Sequence, residues 1–206
     1  MRVRYASIDS PIGRLLAMCT PRGLACLTFD DENDDAVLER AAVRLSPDIE
    51  EASLPRIRSE IERYFGGRLR QFTLRVDLVL AGDGFNRRVL EAVAGIPYGS
   101  VSTYGDIAVR AGSPRGGRAA GNAVHRNPVP IVVPCHRVVP ADGSLGGYGG
   151  REDLKTFLLR LEGALSPGDS TCRSPFQQSR EPRDGLPFAA RPTTVQASQR
   201  RRKHGR

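Results

Sequence analysis

Between Asn127 and Arg137 the chain reads Asn-Pro-Val-Pro-Ile-Val-Val-Pro-Cys-His-Arg, and no other stretch restricts the fold as much. Pro128, Pro130 and Pro134 fix φ and remove three backbone donors, which excludes a helix and predicts an extended backbone. Val129, Ile131, Val132 and Val133 mark the segment for burial. A polar pair, Cys135-His136, follows at once. The nucleophilic form of cysteine is the thiolate, and a base or cation must lie close to bring its pKa down from about 8.5. His136 and Arg137 are the right residue types, although neighbours in sequence need not touch in space. The competing reading is an inert core cysteine beside a satisfied structural histidine. The residues of this run leave both open.

The elements around the run are legible from periodicity. Arg2–Ile8, Arg14–Met18 and Gly23–Phe29 read as strands of an antiparallel meander, with Asp9–Gly13 as the first turn. The acidic cluster Asp30–Asp35 leads into a helix over Ala36–Leu45, where the dipole favours negative charge; a solvated helix entry outweighs a metal site there. Ile57, Ile61, Tyr64 and Phe65 recur at helical spacing up to Gly66-Gly67. Phe72–Leu80 reads as another strand and Ala81-Gly82-Asp83-Gly84 as a domain linker. These boundaries give an N-terminal domain over residues 1–80, a second domain over 85–165 and a tail over 166–206.

In the second domain Phe85–Val93 has a helical apolar face. Thr103-Tyr104-Gly105-Asp106 has the form of a capping box, starting a helix that stops near Gly112. Ser113-Pro114 then reads as the cap and first turn of another helix. Two short helices across a tight turn suit a helix-turn-helix, or an ordinary helical hairpin. The second helix holds Gly116, Gly117 and Gly121, each costing about 1 kcal/mol against alanine. So smooth a helix can lie against another surface, with Arg115 and Arg118 rising from it. Glu152–Glu162 reads as an amphipathic helix with Leu154, Phe157, Leu158 and Leu161 inward. Glu162 beside that stripe could orient a histidine as the third member of a Cys–His–Glu relay, or be an exposed helix-end carboxylate. The glycine-rich loop Gly143–Gly150 carries one aromatic, Tyr148.

Charge narrows the function classes. The 206 residues carry a net +8, divided as −2 over residues 1–84, +4 over 85–165 and +6 over 166–206. The last segment, rich in Pro, Ser, Gln and Arg, reads as a disordered basic tail. It is either an inert extension or a DNA-touching arm built on Arg200, Arg201, Arg202 and Lys203. No apolar run approaches the ~18–20 residues of a membrane span, and the N-terminus lacks a signal's apolar core. Four cysteines in a chain of this length suit a reducing cytosol. A cytoplasmic protein with no membrane partner is expected.

Ile96-Pro97-Tyr98-Gly99, Ser102-Thr103-Tyr104-Gly105, Asn127-Pro128 and above all Pro134-Cys135-His136-Arg137-Val138-Val139 resemble the O6-alkylguanine-DNA alkyltransferases. The resemblance is strong over residues 85–163 and weaker through Tyr5, Ser10–Gly13 and Gly23-Leu24. It implies an α+β chain: a small α/β N-terminal domain with an antiparallel, ribonuclease H-like sheet, then a mostly helical, winged-helix-like domain with a helix-turn-helix. It also implies direct reversal of DNA damage by a bacterial-type methylated-DNA–protein-cysteine methyltransferase. The alkyl group of O6-alkylguanine, and of O4-alkylthymine, moves irreversibly to Cys135 after base flipping, once per molecule. The resemblance further implies that His136 activates Cys135 through a water, that Glu162 orients His136 and that Asn127 braces the turn before the active-site strand. Arg118 would enter the duplex from the minor groove, and Tyr104 would press on the 3′ phosphate and bond to the flipped guanine. Tyr148, Gly149 and Gly150 would form a pocket wall, with backbone groups of Cys135 and Val138 reading the guanine edge. The partner is then double-stranded DNA carrying O6-alkylguanine, met by a monomer without a cofactor.

Some residues depart from the pattern. Leu90 stands where many relatives have tryptophan, and Gly149 where serine is frequent. The histidines are His125, His136 and His204, so Cys19 and Cys26 cannot close a tetrahedral site and no zinc is expected. Two rivals remain: a lesion sensor on the same fold, which Cys135 argues against, and a Cys–His–Glu hydrolase with a chance helix-turn-helix.

Overall fold

The computed structural model describes residues 1–29 and 34–172. It begins with the expected meander, β1 (Val3–Ile8), β2 (Leu15–Thr20) and β3 (Gly23–Phe29), all antiparallel. A three-residue strand β4 (Ile49–Glu51), too short to show in the sequence, joins β1 in parallel and completes the order β3-β2-β1-β4. Every residue of β2 is buried because the sheet is covered twice. Leu15, Ala17 and Cys19 face the main core, while Leu16 and Met18 face α1 (Asp34–Arg44) through Val37 and Ala41. On the main-core side α2 (Pro55–Phe65) sets Ile57, Ile61 and Tyr64 inward.

Phe72–Leu80 is not a strand. The segment crosses the start of β3, where Leu24 donates to Arg75 O and Asp77 N donates to Leu24 O, both at 2.8 Å. Only one bridge forms, Leu24 with Val76. Asp77 then turns the chain into a 3-10 turn, Leu78–Ala81, accepting from Val79 N at 3.2 Å. Its carboxylate is fixed by Thr20 at 2.6 Å and Arg22 at 3.1 Å. Gly23 is required at the crossing: a Cβ there would sit 2.3 Å from Arg75 O.

The C-terminal part is built from α3 (Phe85–Ala94), β5 (Ser102–Thr103), α4 (Tyr104–Arg110), α5 (Gly117–His125), β6 (Val138–Val139) and α6 (Glu152–Leu161), with β5 parallel to β6. The capping box forms as expected: Asp106 N donates to Thr103 Oγ1 at 3.1 Å and Thr103 N to the Asp106 carboxylate at 3.2 Å. Ser113 does not cap α5. Ser113–Gly116 makes its own turn, closed by Gly116 N on Ser113 O at 2.8 Å, so the helix starts at Gly117. On α6 the inward face is wider than expected. Leu154 and Leu158 enter the main core, Leu159 enters a small cluster with Val101, Val139, Leu165 and Cys172, and Lys155 is fully buried. Phe157, expected inside, is 39% exposed and leans on Phe65.

The 81–84 junction separates composition, not packing. One apolar cluster runs from Ala6 to Leu158 through both halves, and Leu90 lies fully inside it. The expected tail boundary at 166 is also too early. Cys172 is buried, its N–H donates to Gly143 O at 2.8 Å, and Thr171 bridges Ser144. The rest of that tail, including Arg200–Lys203, and Asp30–Asn33 of the acidic cluster lie outside the described residues. Truncation after Leu165 should therefore lower the unfolding midpoint relative to truncation after Cys172. One buried side chain and one hydrogen bond are worth about 1–2 kcal/mol, or roughly 2–8 °C at this size. Equal melting curves would contradict the packing of residues 166–172.

Candidate active site

The proline-rich run is compact rather than extended. Proline fixes φ but leaves ψ free, and here the chain folds back so that Val133 N donates to Val129 O at 2.9 Å. Asn127 holds the turn from inside, its Nδ2 donating to Val133 O at 2.7 Å and its Oδ1 accepting from Val129 N at 3.1 Å. Ile131 adopts φ +71°, which a β-branched residue takes only where its surroundings enforce it. Leu27 of β3 donates to Pro128 O at 2.8 Å, so the sheet carries this turn. It delivers the chain into a 3-10 turn, Cys135–Arg137, immediately before β6.

Cys135 opens onto a cavity of about 420 Å³, a size that suits a small-molecule or nucleobase ligand. Tyr104, Gly121, Asn127, Tyr148, Gly149, Arg151 and Phe29 share its lining. The Cys135 Sγ lies 3.5 Å from Tyr148 OH. Burial pushes the thiol up, against smaller downward effects from Tyr148, Asn127 and Lys155, so the resting group is a neutral thiol. Tyr104, first residue of α4, stands against α5 where Gly121 leaves room; a Cβ there would be 3.8 Å from its ring. Gly149 and Gly150 take φ +65° and +83° in the turn after Tyr148, a conformation that favours glycine. Gly150 is exposed and does not line the cavity.

Behind Cys135 lies a buried polar network. His136 has no exposed surface, and its Nε2 is 3.0 Å from Glu162 Oε1. Burial pushes the Glu162 carboxyl up, but hydrogen bonds from His136 and Arg137 outweigh it and hold the group well below the usual range. An ionised carboxylate only accepts, so Nε2 carries the proton and Nδ1 is the basic nitrogen. That Nδ1 is buried and bonded to no protein group. Burial lowers the His136 pKa more than Glu162 raises it, so the ring rests neutral. Arg137 forks onto Glu162 through Nε and Nη2, both at 2.8 Å, and Gly99 N donates at 3.3 Å. From α2, Tyr64 OH donates to Oε1 at 2.6 Å. Lys155 Nζ donates to Val138 O at 2.7 Å and is pushed down to about 8, mainly by burial. Val138 thus has its carbonyl engaged, and its N–H donates to Cys135 O.

The structure therefore gathers Cys135, Asn127, Tyr104, Tyr148 and Gly149 around one cavity, with His136, Glu162 and Val138 packed behind. Arg118 lies apart, exposed on the first turn of α5. Sequence reasoning missed Lys155 and Tyr64. Tyr64 belongs to the Ile57-Ile61 stripe and reads as core, while its hydroxyl partner is 98 residues away. Lys155 reads as the solvated neighbour of Leu154, and nothing in the spacing announces its partner. Among the described residues no group of three or more His, Cys, Asp or Glu side chains could hold a metal, and no helix is long and apolar enough to cross a membrane.

Two family models match the chain: the 6-O-methylguanine DNA methyltransferase ribonuclease-like domain over residues 3–78 and its DNA-binding domain over 84–164. A methylated-DNA–protein-cysteine methyltransferase of Methanosarcina acetivorans is 39% identical over 160 residues, 78% of this chain and 98% of the relative. The Mycobacterium tuberculosis enzyme of the same name is 37% identical over 169 residues, 82% of this chain and 98% of its own. The crystal structure of the Mycobacterium tuberculosis O6-methylguanine methyltransferase superposes with a TM-score of 0.67 at 36% identity, covering 81% of this chain and 96% of that one. The same organism's OGT in complex with DNA gives 0.66 at 35% identity, covering 79% and 93%.

Proposed function

Because the chain belongs to the 6-O-methylguanine DNA methyltransferase family, a family of DNA-repair enzymes, we propose that it transfers the alkyl group of O6-alkylguanine in duplex DNA to its own Cys135, once per molecule. The observation that carries this reading is the position of Cys135: its thiol opens onto a cavity of about 420 Å³, large enough to admit a nucleobase, and is backed by the buried His136–Glu162 pair.

The alkyl group on O6 is hidden within the base stack, so the base must leave the duplex at a few kcal/mol of lost stacking and pairing. A modified guanine pairs poorly and pays less of it. α4 and α5 form the helix-turn-helix that meets the duplex, and Arg118, on the exposed first turn of α5, fills the gap left by the extruded base. In the cavity, His136 Nδ1 takes the thiol proton through one water and Glu162 steadies the imidazolium. The Sγ–carbon bond forms as the carbon–O6 bond breaks. Guanine leaves with that electron pair and takes up a proton, with Tyr104 OH as its hydrogen-bond donor, and the proton on His136 returns to solvent. The product is a thioether with no route back to the thiol, which makes the protein a stoichiometric reagent. The same displacement serves O4-alkylthymine. On this reading the protein works as a monomer, which is supported by the cavity beside Cys135 and helix α5 belonging to one chain.

Incubation with an O6-methylguanine duplex should add one methyl per protein, on the peptide containing Cys135, as read by mass spectrometry. Repeated turnover would favour the hydrolase, and tight binding without mass gain the lesion sensor. Arg118→Ala should slow repair of the duplex at least tenfold while leaving the reaction with free O6-benzylguanine within twofold. Equal losses on both substrates would remove Arg118 from base extrusion.

A further inference from the structure

We propose that Tyr64, carried by α2 in the N-terminal half, is a positioning residue of the proton relay: its hydroxyl on Glu162 Oε1 sets how strongly that oxygen holds the Nε2 proton of His136. The proposal rests on the reading of Cys135, His136 and Glu162 as that relay.

Three donors converge on Oε1: Tyr64 OH at 2.6 Å, Arg137 Nη2 at 2.8 Å and His136 Nε2 at 3.0 Å. The tyrosine bond is the shortest and the histidine bond the longest. Donors sharing one oxygen compete for its electron density, because each bond already made leaves the oxygen a weaker acceptor for the next. Tyr64 therefore weakens the pull of Glu162 on His136 and keeps the imidazole a weaker base than the bare pair would make it. The phenol is a fixed donor at every working pH, since burial and the adjacent Glu162 push its own ionisation far up. It is also fixed in space: Phe65, Phe72 and Tyr98 pack around its ring at centroid distances of 5.3, 5.2 and 6.2 Å.

Among the described residues, Arg137 Nη2 is the one further donor to Oε1 besides Tyr64 and His136, and the other groups facing the pair are engaged elsewhere. From the 96–99 turn, Gly99 N reaches the other carboxylate oxygen, and Tyr98 OH donates to Leu161 O, with Arg70 over its ring. Arg137 is committed to Glu162 and to Ile96 O, and from α6 Lys155 is committed to Val138 O. Cys135 lies on the cavity side, against Tyr148. A phenol from one half of the chain thus tunes a base in the other, over an interface with a continuous apolar core.

The test is Tyr64→Phe in the full chain, which keeps the packed ring and removes one oxygen. The rate of Cys135 alkylation by free O6-benzylguanine is measured under single-turnover conditions from pH 5 to 9. Losing the competing donor strengthens the His136–Glu162 bond and raises the histidine's pKa. The acid limb of the profile should move up by about half a unit to one unit, so the rate on that limb falls about 3–10-fold. The plateau should stay within twofold and duplex affinity should be unchanged. The ring ¹⁵N shifts of His136, followed against pH by NMR, should move by the same amount. A uniform loss at all pH values with an unshifted limb, or no change at all, overturns the proposal. If His136→Ala keeps the wild-type rate, the relay itself fails and Tyr64 with it.

Discussion

Cys135→Ala should abolish methyl transfer completely while leaving affinity for a methylated duplex within about threefold. The side chain is small, and its polar contacts are with the protein's own Tyr148 hydroxyl at 3.5 Å and Asn127, so its loss removes little DNA-binding energy. Cys135→Ser is the sharper variant. It keeps the volume but offers a hydroxyl, whose far higher pKa puts the anion out of reach of a neutral buried imidazole, so transfer should fall at least a thousandfold. The other thiols cannot substitute. Cys19, Cys26 and Cys172 are all buried away from the cavity, and burial pushes Cys19 up to about 11. Mass spectrometry of each variant after incubation with an O6-methylguanine duplex reads transfer, and a mobility shift reads binding. Methylation of another cysteine in Cys135→Ala at a comparable rate would sink the assignment.

What the sequence disclosed about this site follows from which interactions are local. Thr103 and Asp106 lie three residues apart, so their capping box could be read directly, as could the meander with its turn at Asp9–Gly13. Cys135, His136 and Arg137 are adjacent, so the run could be read as a candidate reactive group, with an inert core cysteine left open by the residues and set aside only by the family resemblance. The side chains that bond to this group and its surroundings come from far along the chain: Glu162 from the end of α6, Tyr64 from α2, Lys155 from within α6. Glu162 could be read only as one of two alternatives, a relay member or an exposed helix-end carboxylate, and for Tyr64 and Lys155 side-chain type and spacing carry no information about such meetings. The Phe72–Leu80 segment and the Asn127–Pro134 turn failed for a related reason. Both have strand-like composition, but a crossing over β3 in one and the Asn127 side chain in the other decide the backbone. Phe157 was misplaced because the buried face of α6 turns towards Lys155 and Leu159, the latter packed on the cluster of Leu165 and Cys172, which leaves Phe157 at its edge.

Glu162→Gln should damage stability and chemistry together, and the two losses should part with pH. The carboxylate accepts from Tyr64, His136, Arg137 twice and Gly99. A glutamine offers one accepting oxygen, and its NH₂ must face either the Arg137 fork or the His136 and Tyr64 donors, all of which also donate. Arg137, itself buried, is left without its counter-charge. Breaking a buried pair in this way costs about 3–5 kcal/mol, a large part of the total of about 5–15 kcal/mol for a typical domain. At this chain length the unfolding midpoint should drop by roughly 6–20 °C. Although burial raises it, the Glu162 carboxyl is held below its unfolded value by His136 and Arg137. Its contribution is therefore complete above the unfolded pKa near ~4.3 and is lost as pH falls towards the folded one. The gap between wild type and variant should be widest at neutral pH and narrow below about pH 4. The alkylation rate follows a different course. Without the carboxylate, His136 loses both its fixed tautomer and the charge that steadies its imidazolium, and general-base assistance of this kind is worth about 10²–10⁴-fold. That loss should persist at neutral pH and at temperatures where the variant is fully folded. A rate within threefold of wild type in the folded variant would show that Glu162 holds Arg137 in place but takes no part in the relay.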